Sequence, residues 1–340
     1  MVQSYFSVIM ATRNRPAEFR KAVDSVLSQS FRDIEIIIVN DGSEERYQAE
    51  YEAILDAING IPVRVVSLAR LSSGHGQSFA INSGVSKSEA PYICFLDDDD
   101  YWTDPRHLER AASVISSSPA DLYMANQAAY RGADIQPGPI WLDDLGSILQ
   151  RLGRRPERDG SYTVDAEDLL RSRGFCHLNT LIVRRTLYEH IGGMAEDIRW
   201  ECDHDLYLRL IDRAAIMKFV PVVVSRHNIP DPTKRSSMTT GLTEAERRLF
   251  QLSVFRRAQH LARHPMIRSY AQKHTAYTLK RIAESLAEAE RYVDAASYAR
   301  EALRAGPTLK WTGYTAWLTF WALLEGFSGR VTDGGFHDPK

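Results

Sequence analysis

Three features that often reveal the class of a protein are scarce in this sequence of 340 residues. Its most apolar late stretch, residues 314–324, is much shorter than the roughly 20 residues that cross a bilayer. The formal net charge of −2 gives no general attraction to nucleic acid. The three cysteines, Cys94, Cys176 and Cys202, are an odd number and lack metal-site spacing. The sequence therefore disfavours a membrane-spanning protein, a nucleic-acid-binding protein and a disulfide-stabilised secreted domain.

The first residues, MVQSYFSVIMATRNR, also lack the basic leader of a signal peptide. They predict a first β-strand instead, and the unpaired cysteines predict a reducing compartment. We therefore expect a cytoplasmic protein. The tryptophan-rich residues 314–324 leave two alternatives open, a core helix or a helix that contacts the inner face of the membrane.

Two glycine-rich phosphate-binding motifs are absent as well. Neither G-x-x-x-x-G-K-[ST] nor G-x-G-x-x-G occurs, which disfavours a P-loop protein and a standard dinucleotide-binding enzyme. Phosphate groups would have to be held by a metal ion and by side chains instead.

What the sequence does contain is an alternation of apolar runs and helical stretches. The runs FSVIMAT, IEIIIVN, PVRVVSL and YICFL are separated by segments with helical spacing of their apolar residues. Continuously apolar runs are typical of strands that are buried on both faces. Later segments, HLNTLIVRR, DHDLYLRLIDR and FVPVVVSRHN, predict a strand, a helix and a strand. The pattern predicts an α/β domain over residues 1–240 with a mainly parallel sheet.

Residues 241–340 have the composition of an α-helical region. Within it, residues 274–307 resemble one tetratricopeptide-type helix pair, because Tyr292, Ala295, Ala302 and Pro307 match the small-residue pattern of that repeat. The early tryptophan and glycine of the repeat are missing. A single repeat has no neighbour on which to stack, so we expect it to pack on the catalytic domain or on a partner.

Polar residues follow each predicted strand of the sheet. Thr12 and Arg13 follow the first strand, Asp41 the second, Arg70 the third, and the four aspartates 97–100 the fourth. Ligands of open parallel sheets bind beyond the carboxyl ends of the strands. We therefore expect these side chains to converge on one crevice.

The stretch FLDDDDYW places four carboxylates in one turn, where like charges repel each other. A divalent cation, Mn²⁺ or Mg²⁺, would explain them, because such ions take carboxylate ligands and leave positions for phosphate oxygens. The alternative is a solvated acidic turn in which Asp104 caps the next helix.

Five segments in the same order resemble the family 2 glycosyltransferases of the A-type fold. They are SVIMATRNR, QSFRDIEIIIVNDGS, GHGQSFAINSGV, APYICFLDDDDYW and HIGGMAEDIRWECDHDLYLRL, and they lie within about residues 4–230. The resemblance implies a Rossmann-like nucleotide-diphospho-sugar transferase fold, followed here by a C-terminal α-helical region.

The resemblance also implies roles for the donor side of the site. Thr12 and Asp41 match the nucleotide pocket of the family, where the aspartate accepts a hydrogen bond from the base, and Arg13 and Arg70 accompany them. For Asp41 the alternative is a role in the Asp-Gly-Ser turn.

Asp97 and Asp99 match the ends of the D-x-D motif of the family. Asp99 corresponds to the metal ligand, Asp98 lies near the ribose or phosphate, and Asp100 is assigned a structural role. His227 matches a histidine that many relatives place on the metal or pyrophosphate, with an ordinary surface histidine as the alternative.

Asp203 matches the inverting catalytic base of the family. The usual glutamate before it is replaced by Cys202, and the usual tryptophan after it by His204. The alternative role for Asp203 is to cap the helix that begins there, a role for which Asp205 is the better candidate.

Together these features predict an inverting, metal-dependent glycosyltransferase that uses a nucleotide-diphosphate sugar, with UDP-sugar as the expected donor. The acceptor would be a hydroxyl group of a carbohydrate, a lipid-linked molecule or a protein, in bacterial surface polysaccharide or glycoconjugate synthesis. Two alternatives stay open. One is a degenerate transferase domain that acts as a binding or assembly module, and the other is a nucleotidyltransferase that makes sugar nucleotides.

Overall fold

The computed structural model describes residues 4–136, 141–229 and 241–332, with side chains described to residue 325. The chain divides into two compact units, Met1–Gly241 and Leu242–Lys340. Each unit has its own apolar core.

The first unit is built on one sheet, with ten strands among the described residues. The strands are β1 (Phe6–Thr12), β2 (Ile34–Asn40), β3 (Val63–Ser67), β4 (Tyr92–Phe95), β5 (Tyr101–Trp102), β6 (Leu122–Arg131), β7 (Asp134–Ile135), β8 (Tyr162–Val164), β9 (Leu181–Arg184) and β10 (Met217–Asn228). Their order is β3-β2-β1-β4-β9-β6-β10-β5, with β7 beside β6 and β8 beside β10.

Most of the long strands run parallel. β3, β2, β1 and β4 form one parallel group and β6 pairs in parallel with β10, while β9 lies antiparallel between β4 and β6. The helices of this unit are α1 (Pro16–Leu27), α2 (Gln48–Asp56), α3 (Gln77–Val85), α4 (His107–Ser117), α5 (Leu145–Arg151), α6 (Ala166–Leu170), α7 (Arg185–His190) and α8 (Cys202–Ile211). This mixed but mainly parallel α/β sheet confirms the predicted fold class.

Helices cover both faces of the parallel group, as its continuously apolar strands require. On one face Phe19 and Val26 of α1 and Leu108 of α4 join the core formed by β1 and β2. On the other face α3 approaches so closely that a Cβ atom at Gly84 would lie 2.7 Å from Ile9 Cγ2. Only glycine fits at that position, and this close contact places the start of α3 beside the strand ends.

Two segments differ from their sequence patterns. β6 is not among the predicted strands, because its sequence LYMANQAAYR interrupts the apolar run with Asn126 and Gln127, both of which are buried. The predicted strand HLNTLIVRR is shorter in the structure, since Leu178–Thr180 form a 3-10 turn before β9 begins. That turn directs residues 177–180 toward the end of β4.

The second unit consists of α9 (Glu244–Leu261), α10 (Pro265–Glu288), α11 (Tyr292–Ala305) and α12 (Leu309–Thr332). Helices α10 and α11 form the predicted pair, and small residues of α11 lie in their common core: Ala295, Ala296, Ala299 and Ala302. Trp311 and Leu318 of α12 join the same core, while Trp317 and Phe320 are exposed on its other side. Within the described residues, no helix combines the length and apolarity needed to cross a membrane.

Candidate active site

The candidate site begins at the end of β1. Thr12 is buried, and its Oγ1 atom lies 2.8 Å from the Tyr51 hydroxyl. The same hydroxyl accepts a hydrogen bond of 3.0 Å from the Arg15 backbone N–H. These contacts fix the path of the chain as it leaves β1 and enters α1.

Asp41, which follows β2, holds the loop before α3. Its carboxylate accepts hydrogen bonds from the His75 backbone N–H at 2.9 Å and from the Gly76 N–H at 3.3 Å, and it contacts His75 Nδ1 at 2.7 Å. A Cβ atom at Gly74, whose φ is +69°, would lie 2.6 Å from Asp41 Oδ2. Asp41 therefore does more than turn the chain at Asp-Gly-Ser, and His75 is a partner that the sequence does not predict.

The two arginines predicted beside Asp41 differ in position. Arg13 donates hydrogen bonds to the carbonyls of Leu71 at 2.8 Å and Ser72 at 3.1 Å, so it braces the same loop. The Arg70 side chain is exposed, and within the described residues it forms no hydrogen bond or ion pair. The Arg70 backbone nevertheless lies beside the loop after β2, because a Cβ atom added at Gly42 would be 2.7 Å from the Arg70 Cα atom. A role for the exposed Arg70 side chain in the donor pocket stays a prediction.

The aspartate run meets a cation that the sequence does not predict, the guanidinium of Arg15. Its NH2 atom lies 2.6 Å from Asp98 Oδ1, and its NH1 atom lies 2.6 Å from Asp99 Oδ2. Asp98 is almost fully buried, whereas the Asp99 side chain is 29% exposed. The run is therefore a paired, partly buried cluster, and the solvated acidic turn is excluded as its description.

One guanidinium does not neutralise this cluster. Burial raises the pKa of Asp98 to about 7, although the charge of Arg15 lowers it, and the charge of Asp99 raises it further. Burial and the three neighbouring aspartates raise the pKa of Asp97 well above its ordinary value. Burial alone would lower the pKa of Arg15, but the three carboxylates outweigh it and raise that pKa. A further positive charge beside the aspartate run would therefore stabilise the ionised carboxylates.

Asp100, the last member of the run, connects β10 to the site. Its carboxylate accepts hydrogen bonds from Asn179 Nδ2 at 2.6 Å and from the Asn228 backbone N–H at 2.7 Å. It also lies 2.7 Å from His227 Nδ1. Burial would lower the pKa of His227, but the hydrogen bond to Asp100 and its charge raise it. The Nε2 atom of His227 is then the ring nitrogen left for other contacts.

Asn179 positions both ends of the aspartate run. Its Oδ1 atom accepts a hydrogen bond of 2.9 Å from the Asp97 backbone N–H, while its Nδ2 atom binds Asp100. Its backbone carbonyl accepts a hydrogen bond of 2.8 Å from Trp102 Nε1. The sequence offers no signal for Asn179, because its partners lie about eighty positions earlier in the chain.

Asp203 lies at the start of α8, and its side chain is near His177. Its Oδ1 atom accepts a hydrogen bond of 2.9 Å from the neighbouring His204 N–H, and its Oδ2 atom lies 3.7 Å from His177 Nε2. His177 Nε2 also lies 3.9 Å from Asp97 Oδ2. Burial raises the pKa of Asp203 to about 6. The charge of His204 lowers this pKa, and the charge of Glu201 raises it.

His177 is a neutral spacer between these two carboxylates. Burial and the charge of His227 lower its pKa to about 3, although Asp100 opposes them. Its Nδ1 atom accepts a hydrogen bond of 3.3 Å from the Asn179 N–H, so the single ring proton lies on Nε2. That N–H group faces both Asp97 and Asp203 at distances just beyond a hydrogen bond.

At the start of α8 it is Asp203, and not the expected Asp205, whose side chain accepts a backbone N–H of the first turn, that of His204. The first residue before the helix is Glu201, in the left-handed conformation with φ of 57°, and its own side chain forms no capping hydrogen bond. Asp205 instead forms an ion pair of 2.7 Å with Arg209 one turn later. Burial on this face favours an internal charge partner over an exposed cap.

The substitutions around Asp203 also have a structural role. Cys202 Sγ contacts Gln77 Oε1 at 3.5 Å, and Gln77 Nε2 donates a hydrogen bond of 2.7 Å to Asp97 Oδ1. His204 stacks on Phe175 with ring centroids 4.3 Å apart. Cys202 is therefore linked to the aspartate run through Gln77, and His204 packs on the ring of Phe175.

The donor atoms of the run suit a hard divalent cation. Asp98 Oδ2 is buried and has no hydrogen-bond partner in the described residues, and the side chains of Asp99 and His227 are partly exposed. Among those residues, no three His, Cys, Asp or Glu side chains form a ready metal centre. A site with one or two protein carboxylates still suits Mg²⁺ or Mn²⁺, because phosphate oxygens of a ligand supply the other positions.

The chain belongs to glycosyl transferase family 2, whose sequence model matches residues 7–190, more than half of its length. It is 30% identical over 154 residues to an uncharacterized glycosyltransferase of a Nostoc species, a match that covers 43% of this chain and 46% of that protein. This chain therefore spans about half the length of that relative.

Two solved structures share the fold. S. aureus TarS residues 1–349, in complex with UDP-GlcNAc, gives a TM-score of 0.65 at 16% identity, covering 93% of this chain and 88% of that one. The mannosyltransferase of Pyrobaculum calidifontis, in complex with GDP-Man and Mn²⁺, gives a TM-score of 0.56 at 14% identity, covering 96% and 88%. At these identities the likeness shows the fold alone.

Proposed function

We propose that this protein is an inverting glycosyltransferase that moves a sugar from a nucleotide-diphosphate donor, a UDP-sugar, to a hydroxyl acceptor. The observation that carries this proposal is the closeness of Asp203 to the aspartate run, since His177 Nε2 lies 3.7 Å from Asp203 Oδ2 and 3.9 Å from Asp97 Oδ2. Transfer to a hydroxyl acceptor needs a proton acceptor beside a site for an anionic leaving group, and this arrangement supports that assignment. Membership of glycosyl transferase family 2 supports it.

The donor would lie over the ends of β1, β2 and β4. Thr12 and Asp41 border the nucleotide pocket, and Arg13 and His75 hold the loop that forms its wall. Arg70 lies with its side chain exposed beside the Asp41-Gly42 turn, and it is proposed to contact the donor there. The UDP-GlcNAc bound by TarS, which shares this fold, supports the choice of a uridine nucleotide.

Asp99 and His227, with Asp97 and Asp98 beside them, would hold a divalent cation, Mn²⁺ or Mg²⁺. When bound, such an ion neutralises the charge that develops on the diphosphate leaving group. The complex of the Pyrobaculum calidifontis mannosyltransferase with GDP-Man and Mn²⁺ supports the use of a divalent metal. Asp100 and Asn179 keep the carboxylates in place while the charge changes.

Asp203 would act as the general base. Its carboxylate takes the proton from the acceptor hydroxyl as that oxygen bonds to the anomeric carbon and the bond to the diphosphate breaks. One displacement from the face opposite the leaving group inverts the anomeric centre. The protonated Asp203 then returns its proton to solvent.

The acceptor is proposed to be a carbohydrate, lipid-linked or protein hydroxyl in bacterial surface polysaccharide or glycoconjugate synthesis. Residues 130–180 and 228–242 are proposed to select the acceptor, and of these, residues 137–140 and 230–240 lie outside the described residues. Residues 1–240 are proposed as the catalytic domain, and residues 241–340 as a helical region whose exposed Trp317 and Phe320 suit peripheral contact with the inner face of the membrane.

A second candidate function is a binding or assembly module without catalysis. The observation that favours it is Cys202, a buried thiol at the position of the usual glutamate, and burial raises the pKa of that thiol so that it stays neutral. The nucleotidyltransferase alternative lacks support, since the chain after β1 contains no glycine-rich basic loop.

A donor panel tests the proposal. The purified protein is incubated with Mn²⁺ and with UDP-, GDP- and other nucleotide sugars, and release of the nucleoside diphosphate is measured with and without simple glycosides as acceptors. We expect slow hydrolysis of at least one UDP-sugar, which Asp99→Asn abolishes. If no donor is bound or hydrolysed while the protein is folded, the module without catalysis is favoured.

A further inference from the structure

Arg15 is the main charged partner of the candidate metal-binding carboxylates. Its guanidinium spans two neighbouring side chains, with one nitrogen on Asp98 and another on Asp99, both at 2.6 Å. The side chain is one-third exposed, so it is neither locked in the core nor free in solvent. Its backbone N–H is fixed to the Tyr51 hydroxyl, which keeps the base of the side chain at the end of β1.

We propose that Arg15 is a built-in counter-cation that competes with the divalent metal for Asp98 and Asp99, so that the metal binds strongly only together with the donor diphosphate. This inference rests on the proposed function of the site. It adds a role for one residue of this chain, which is to couple the binding of metal and nucleotide.

The competition follows from shared atoms. Asp99 Oδ2 and Asp98 Oδ1 are ligand oxygens of the type that Mg²⁺ and Mn²⁺ take, and both are occupied by the guanidinium. A divalent cation on the same carboxylates would repel the guanidinium at close range, in a partly buried place where solvent screens little. Either the arginine moves away or the metal binds weakly.

The donor diphosphate offers Arg15 an alternative partner. A guanidinium presents a planar fork of N–H donors that matches the oxygens of a phosphate group. Arg15 follows the end of β1, at the carboxyl edge where the ligands of such sheets bind. A nucleotide bound there would accept the guanidinium, and the freed carboxylates would then accept the metal.

A titration of Mn²⁺ tests this coupling. Free Mn²⁺ is measured by electron paramagnetic resonance as it is added to the parent protein and to Arg15→Gln, each with and without saturating UDP. In the parent, UDP should strengthen Mn²⁺ binding by a factor in the usual range for coupled sites, about 5- to 150-fold. In Arg15→Gln, Mn²⁺ alone should bind at least about fivefold more tightly than in the parent. UDP should strengthen Mn²⁺ binding to this variant by a smaller factor than in the parent.

Arg110→Gln provides the matched control. Arg110 forms an ion pair of the same length, 2.6 Å, with Asp104, and both side chains are about a quarter exposed or less. Removing it should change thermal stability but leave Mn²⁺ affinity and its dependence on UDP as in the parent.

Arg15→Lys provides a second variant, because one ammonium group cannot bridge both carboxylates. The gain in Mn²⁺ affinity of Arg15→Lys should be smaller than that of Arg15→Gln.

The outcomes separate the two proposals. Equal or weaker Mn²⁺ binding by Arg15→Gln and Arg15→Lys, in a parent that binds UDP with Mn²⁺, would overturn the role of Arg15 and leave the transferase proposal standing. A folded parent that binds neither UDP nor Mn²⁺ would overturn the proposed function itself, whatever the variants do.

Discussion

Charged groups on the two sides of the candidate site are arranged differently. On the donor side, Arg15 makes two contacts of 2.6 Å with Asp98 and Asp99, so the protein pairs these charges itself. On the base side, Asp203 Oδ2 lies 3.7 Å from the neutral ring of His177, beyond hydrogen-bonding distance. The donor-side carboxylates are paired with a cation, whereas among the described residues Asp203 Oδ2 has no cation within hydrogen-bonding distance.

The difference matches the tasks that we propose. A leaving-group site must accept a large negative charge, so its carboxylates need cations, first Arg15 and then a metal. A general base must keep an oxygen available for a proton, and a strong cationic partner would lower its pKa and weaken it as a base. Burial without such a partner instead raises the pKa of Asp203 to about 6.

The largest effect is expected on the base side. Asp203→Asn keeps the shape of the side chain but cannot take a proton, so transfer should fall by about two to four orders of magnitude. UDP binding and thermal stability should stay close to those of the parent, because the donor side is untouched. Initial rates of transfer and thermal unfolding measure the two quantities.

Asp205→Asn is the matched control for that variant, two positions along the same helix. Asp205 is buried and forms an ion pair of 2.7 Å with Arg209. Removing its charge should lower the thermal stability of the protein and leave the rate of transfer near that of the parent. Transfer by Asp203→Asn at close to the parent rate would remove Asp203 from the proposed mechanism.

A smaller effect is expected from pH. Because Asp203 must be ionised and burial raises its pKa to about 6, kcat at saturating donor and metal should level off above that pH. Below it the ionised fraction, and with it kcat, should fall about tenfold per pH unit. The profile is measured from about pH 5 to about pH 8 under the same saturating conditions. A constant kcat through this range would contradict the assignment of the base.

Local patterns in the sequence predict much of the donor side. Apolar runs locate β1, β2, β3 and β4, and the rule that ligands bind at strand ends directs attention to Thr12, Asp41 and the aspartates. The predicted α/β class and the C-terminal helix pair are confirmed. These features are predictable because each depends on residues that are close together in the chain.

The partners of those residues are not predictable in this way. Arg15 reaches Asp99 across 84 positions, and Asn179 reaches Asp97 across 82. Such contacts depend on how the strands are ordered in the sheet, which no local pattern contains. Arg70 follows the edge strand β3 as predicted, and its exposed side chain has no contact within the described residues that tests the role predicted for it.

The most direct test of the central claim, that the aspartate run holds the donor diphosphate through a divalent cation, is thermal unfolding of the parent protein with UDP. A ligand that binds only the folded state raises its stability by mass action. We predict a rise in Tm with UDP and Mn²⁺ together, and almost none with UDP in excess chelator. Asp99→Asn should lose the part that depends on metal. An equal rise in Tm with and without chelator would contradict the account.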